Sequence, residues 1–121
     1  MKKILYVEDY EMGRDILSRR LTRKGFNCIC AADGGQAIEM AGAEQPDLIL
    51  IDIYLPFDTA WITIKQIRDY KDTKHIPIIA LTDYALNKDR DRALEVGCED
   101  YTPKPIELPK LLEKVTKLLA H

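Results

Sequence analysis

Short apolar runs alternate with amphipathic stretches along the whole chain. Ile4-Leu5-Tyr6-Val7 predicts a first strand. Met12, Ile16, Leu17 and Leu21 follow at helical spacing and predict the inward face of a helix, which Gly25 ends. Residues 28–31 form a weaker second strand, and residues 36–44 a helix with Ala37, Ile38 and Ala41 inward. Residues 47–51 carry four consecutive Leu/Ile residues, the pattern of a strand buried on both faces. Leu55-Pro56 marks a loop. Residues 61–70 predict a third helix, in which one of the adjacent Trp61 and Ile62 must face solvent. Residues 76–81 read as a fourth strand, 87–96 as a fourth helix stopped by Gly97, and 99–102 as a short fifth strand. Leu108, Leu111, Leu112, Val115, Leu118 and Leu119 give the clearest amphipathic helix of the chain.

Five strand–helix units in this length predict an α/β domain spanning residues 1–121, with helices on both faces of a parallel sheet. Right-handed crossovers leave few topologies, and the flavodoxin-like (βα)5 arrangement with strand order 2-1-3-4-5 is favoured. Such sheets hold their ligands at the carboxyl ends of the strands.

Composition narrows the function classes. Hydrophobic residues make up 46% and charged residues 31%, with a formal net charge of −2 and both signs dispersed. That balance lacks the basic excess of a nucleic-acid-binding domain, and the basic first helix (Arg14, Arg19, Arg20, Arg23, Lys24) reads as a solvated face. No apolar run approaches the ~20 residues that span a bilayer, and the apolar start is broken at Glu8-Asp9 with no cleavage site. The expected setting is cytoplasmic, without nucleic-acid or membrane partners. Cys28, Cys30 and Cys98 are sparse and odd in number, as expected of reduced thiols; Cys28 and Cys30 share one side of a strand and read as packing groups.

The chemistry lies at the strand ends. The first strand ends in Glu8-Asp9, the third in Asp52, the fourth in Thr82, and Lys104-Pro105 follows the fifth. In the order above these ends converge on three carboxylates, a hydroxyl and an ammonium. Two carboxylates about 4 Å apart repel by about 4 kcal/mol at an effective dielectric near 20, so the set calls for a proton or a cation. Hard oxygen donors suit Mg2+, or Mn2+, rather than zinc. Asp52 could attack a phosphoryl group, with the metal, Lys104 and Thr82 offsetting charge on its oxygens.

This ordered set resembles the receiver domain of two-component response regulators, over essentially the whole chain. The matching segments are Tyr6-Val7-Glu8-Asp9, Asp47 to Asp52 with Leu55-Pro56, Pro77 to Thr82, Gly97 to Tyr101, and Lys104-Pro105. The resemblance implies that Asp52 accepts a phosphoryl group and that Asp9, Asp52, Glu8 (often through water) and the Tyr54 backbone carbonyl hold Mg2+. It implies that Thr82 and Lys104 sense the phosphate, that Tyr101 is an aromatic switch, and that the Lys104-Pro105 bond is cis. It further implies a sensor histidine kinase or histidine phosphotransfer protein as donor, meeting the first helix. A downstream protein target, a monomer or weak homodimer, and no catalysis beyond self-phosphorylation and dephosphorylation complete the expectation.

Several positions depart from the family pattern. Glu8 stands for the commoner Asp, Thr59-Ala60 for a pair usually ending in Gly, and Asp83 for a small residue. Asp83 adds charge that would weaken the phosphorylated state. Tyr54 and Tyr84 flank the family's route for hydrolytic water and would slow its loss. Pro103 suits only an edge strand. Three rivals stand beside this reading. A phosphorylation-independent pseudo-receiver draws on Asp83 and Ala60. A phosphohydrolase would carry an Asp where Tyr54 is. A flavodoxin would carry a Ser/Thr/Gly-rich loop where Glu8-Asp9 is.

Overall fold

The computed structural model describes residues 1–83 and 87–120, so the sequence expectation for Tyr84 lies outside the described residues. The chain runs β1 (Lys3–Val7), α1 (Glu11–Arg23), β2 (Asn27–Ala31), α2 (Gly34–Glu44), β3 (Leu48–Asp52), α3 (Thr59–Asp69), β4 (Ile78–Thr82), α4 (Asn87–Val96), β5 (Asp100–Pro103) and α5 (Leu108–Leu119). The five strands form one parallel sheet in the order β2-β1-β3-β4-β5, the order expected from the alternation of elements. The sheet divides two apolar layers. Ile4, Tyr6, Leu48, Leu50, Ile79 and Leu81 face α1 and α5. Leu5, Val7, Ile49, Ile51, Ile78 and Ala80 face α2, α3 and α4. Period-2 alternation on strands covered on both sides thus accounts for the unbroken apolar runs.

Local chemistry sets the element ends. α2 begins at Gly34, two residues before the expected start, because Asp33 accepts from the Gln36 N–H at 2.8 Å while Gln36 Oε1 accepts from the Ala32 N–H at 2.8 Å. β4 begins at Ile78 rather than residue 76. Pro77 has no N–H to give, although its carbonyl accepts from the Ile49 N–H at 2.9 Å. Leu17 and Leu21 are the buried face of α1, whereas Met12 and Ile16 are 60% and 55% exposed. The expected inward face was therefore too wide: Gly13, not a large side chain, faces the sheet end at Glu8. Trp61 is buried and its neighbour Ile62 exposed. Pro103 lies on β5 at the sheet edge, opposite Thr82.

Between β3 and α3 the chain makes a 3₁₀ turn at Pro56–Asp58, with Phe57 and Asp58 both left-handed at φ 60° and 58°. Non-glycine residues adopt that region at a cost, and the turn leaves Phe57 96% exposed. At the opposite end of the sheet, Arg68 of α3 ties three elements together. It donates to the carbonyls of Gly97 (2.7 Å), Ile76 (2.6 Å) and Lys74 (3.0 Å), and pairs with the Glu99 carboxylate. Glu99 in turn accepts from the Ile78 N–H at 2.6 Å. Among the described residues, no helix is long and apolar enough to cross a membrane.

Candidate phosphoryl and metal site

The parallel sheet delivers its polar groups to one edge. Asp52 ends β3 opposite Leu81, so Thr82 lies one step beyond that pairing. Glu8 and Asp9 follow β1 directly, and Lys104 follows β5. Glu8, Asp52 and Thr82 are 4%, 4% and 1% exposed, because each caps an apolar strand roofed by helices. Asp9 is exposed. One carboxylate oxygen from each of Glu8, Asp9 and Asp52 lies within 4.8 Å of the others.

Lys104 Nζ reaches Asp52 Oδ2 at 2.6 Å and Glu8 Oε2 at 3.6 Å. The Tyr54 N–H donates to Asp52 Oδ1 at 2.8 Å. Burial alone would raise the Asp52 pKa, but hydrogen bonds from Glu8, Lys104 and the Tyr54 N–H hold it below the ordinary carboxylate value. Glu8 moves the other way, to about 8, through burial first and then its neighbour Asp52. The pair therefore shares one negative charge across two acids when nothing else balances it. Burial works against the Lys104 ammonium, yet its bond to Asp52 raises its pKa above the ordinary value.

Two buried oxygens at this edge, Glu8 Oε2 and Thr82 Oγ1, have no hydrogen-bond partner among the described residues. Orphaned buried oxygens are costly, and a cation at the acids with an anion beside the hydroxyl would satisfy them. The donor set is all oxygen and anionic, which fits a hard divalent ion. The site thus collects Glu8, Asp9, Asp52, Thr82 and Lys104 at one sheet edge, in agreement with the expected convergence. The Lys104–Pro105 peptide bond is cis, as expected.

The remaining expected residues lie around this centre. Tyr101 is half-buried on β5, its carbonyl accepting from Lys114 Nζ. Lys114 Nζ and the Arg90 guanidinium stand 4.9 and 5.9 Å from its ring centroid. Asp83 is exposed. Cys28 and Cys30 are half-buried and pack against the α1/α5 layer, as expected of packing groups.

One contact escaped the sequence reading. Tyr54 is 41% exposed, and its phenol donates to Asp89 Oδ2 of α4 at 2.7 Å. Nearby, the Arg92 guanidinium of α4 stacks 4.4 Å above the Trp61 ring and lies 3.7 Å from Asp58. Asp89 sits among alternating charges (Lys88, Asp89, Arg90, Asp91, Arg92) that read only as a solvated helix face.

Comparison with known proteins agrees with the geometry. Residues 4–116 match the model of the response regulator receiver domain family. The polar-differentiation response regulator DivK of Brucella ovis is 34% identical over 118 residues, covering 98% of this chain and 96% of DivK. The crystal structure of the receiver domain of sensor histidine kinase PA1611 from Pseudomonas aeruginosa, with magnesium coordinated in its active-site cleft, superposes with a TM-score of 0.91 at 32% identity. It covers 99% of this chain and 98% of that one. The receiver domain of Ssk1 from Saccharomyces cerevisiae, crystallised with the histidine phosphotransfer protein Ypd1, gives a TM-score of 0.90 at 29% identity, covering 98% and 89%.

Proposed function

We propose that this chain, which belongs to the response regulator receiver domain family, receives a phosphoryl group on Asp52 and passes the signal on by protein contact. The carrying observation is the Asp52 carboxylate, held ionised by Lys104 at 2.6 Å beside Glu8 and Asp9. A low pKa keeps the oxygen a nucleophile at neutral pH. Attack on a phosphohistidine forms a P–O bond to Asp52 as the P–N bond breaks. A divalent cation, Mg2+ or Mn2+, would be held by Asp9 and Asp52, by Glu8 directly or through water, and by the Tyr54 carbonyl. Its charge would offset that of the phosphoryl oxygens. The Thr82 hydroxyl, buried and without a partner among the described residues, would then be free to donate to one of them, and Lys104 to pair with another.

Filling the site would draw Thr82 and the chain after β4 inward and turn Tyr101. The face formed by α4, β5 and α5 would then change its affinity for a target protein. Because such switching shifts populations, the unphosphorylated protein samples the active arrangement at some level. The donor is a sensor histidine kinase or a histidine phosphotransfer protein, the class with which the Ssk1 receiver is crystallised. A cytoplasmic receiver domain that catalyses only its own phosphorylation and dephosphorylation fits the reading. Asp83 and Tyr54 act on the phosphoryl lifetime in opposite directions. The Asp83 charge shortens it, while the Tyr54 ring screens it from water.

The test is incubation with a small-molecule phosphodonor and Mg2+, followed by intact-mass measurement. The reading expects one added phosphoryl group in the wild type and none in Asp52→Asn. A wild type that neither gains a phosphoryl group nor binds beryllofluoride would point instead to a phosphorylation-independent pseudo-receiver.

A further inference from the structure

We infer that the groove between α2 and α3 is a docking site for a basic amphipathic helix of a partner protein. Two hollows, of about 470 and 420 Å³, follow one another along this pair of helices and share Ile38. Gly35, Ile38 and Gly42 line them from α2, and Thr59, Ile62 and Gln66 from α3. Both sets fall at positions i, i+3 and i+7, the stripe that one helix presents to another. Phe57 stands almost wholly exposed at one end, on a turn whose two left-handed residues carry backbone strain. Ile62 and Tyr70 are exposed along the rest. The groove lies on the side of the sheet away from α1 and α5. Gly42 points the same way. A glycine inside a helix weakens it, yet a Cβ at Gly42 would meet no atom within 4 Å. Nothing inside the molecule requires the missing side chain, whereas a further helix laid along α2 would use the space.

Charge selects the occupant. Asp33, Glu39 and Asp72 line the hollows, and no Lys or Arg does. None of these three acids is ion-paired among the described residues. Lys65 on the exposed side of α3 is matched by Asp69 at 3.5 Å. The acids repel an anionic membrane or a nucleic acid. A second copy docked about a two-fold axis would set the same acids against one another. A helix with an apolar stripe and lysines or arginines beside it answers both the hollows and the acids.

The probe is a synthetic peptide of about 18 residues, long enough to hold a helix, with leucines at helical spacing on one face and lysines on both flanks. It is titrated into the isotope-labelled protein, and amide shifts are mapped by NMR. The shifts concentrate in residues 34–44 and 57–70, and added salt weakens the binding. The Glu39→Lys/Asp72→Lys double variant binds about tenfold more weakly, and Gly42→Leu, whose side chain enters the open hollow, about as much. A peptide of the same composition with its leucines dispersed around the helix does not bind, nor does one flanked by glutamates. The two acids are exposed, so the double variant carries the test even if Gly42→Leu fails to fold. No saturable binding of the lysine-flanked peptide, shifts centred on α1 or α4, equal binding of the dispersed peptide, or undiminished binding by the double variant overturns the inference. Self-association of the wild type that Gly42→Leu abolishes also overturns it, by giving the groove to a second copy. Each of these outcomes leaves phosphoryl transfer to Asp52, read separately by intact mass, untouched.

Discussion

Lys104 Nζ lies 2.6 Å from Asp52 Oδ2, and it is the ammonium that lets a buried carboxylate stay ionised beside Glu8. The side chain of Lys104 is only 28% exposed and that of Asp52 6%, so water screens the pair weakly. Removing one member of such a pair leaves its partner uncompensated.

Lys104→Met should therefore destabilise the metal-free protein by about 1–3 kcal/mol, less than a fully buried pair because Glu8 and Asp52 can share a proton. Urea denaturation in the presence of a chelator measures this. Added Mg2+ should restore part of the loss, since a second cation then faces the acids. An unchanged midpoint in chelator would show that the pair contributes nothing to stability.

Gly97 follows α4 at φ 115°, and a Cβ there would stand 2.9 Å from Arg68 Cγ. Gly97→Ala combines backbone strain with displacement of the side chain that binds Gly97, Ile76, Lys74 and Glu99. The expected loss is about 1–3 kcal/mol, read as a lower thermal midpoint. Arg68→Ala in the same background should add less than it does alone, because the two changes act on one contact.

The strands, their order and the strand-end acids were legible in the sequence, for a physical reason. A strand covered on both faces must be apolar throughout, so Ile49, Leu50 and Ile51 announce themselves, and an acid such as Asp52 at the end of that run stands out. The faces of the helices were less legible. Met12 and Ile16 fit a helical period with Leu17 and Leu21, yet period alone does not say how wide the covered stripe is, and α1 buries only the latter two. Least legible were polar ties between distant positions. Tyr54 and Asp89 are 35 residues apart, and the bonds of Arg68 reach across the sheet to Glu99. Such pairs leave no periodic trace, because one charged residue in an exposed-looking stretch resembles any other.

The three thiols should separate by pH. Cys30 is held down to about 7, by a hydrogen bond from Cys28 first and by Ser18 and Arg14 after it. Burial pushes Cys98 up to about 12, and Cys28 is raised by its bond to Cys30 and by burial. The thiolate is the reactive form, and it accumulates as pH rises through the folded pKa. Iodoacetamide should thus modify one cysteine fast, with a half-maximal rate near pH 7, and Cys30→Ser should remove that phase. A midpoint at the ordinary ~8.5, or first modification at Cys98, would contradict the assignment.

Tyr101 lies between two cations, with Lys114 Nζ 4.9 Å and the Arg90 guanidinium 5.9 Å from its ring centroid. Lys114→Ala removes both a ring contact and the donor to the Tyr101 carbonyl. The ring should become more mobile, seen as faster flipping or averaged ring signals in NMR spectra. The fold should lose about 0.5–1.5 kcal/mol. Ring signals identical to wild type would show that packing against α4, and not the cations, holds the side chain.

The most direct test of the account is chemical mapping of the acceptor. The protein is incubated with a small-molecule phosphodonor, with Mg2+ or with chelator, and any acyl phosphate is trapped by borohydride reduction before peptide mapping. The account predicts homoserine at position 52 in the Mg2+ sample, little in chelator, and none in Asp52→Asn. Reduction at another carboxylate, or equal labelling with and without the divalent ion, would contradict it.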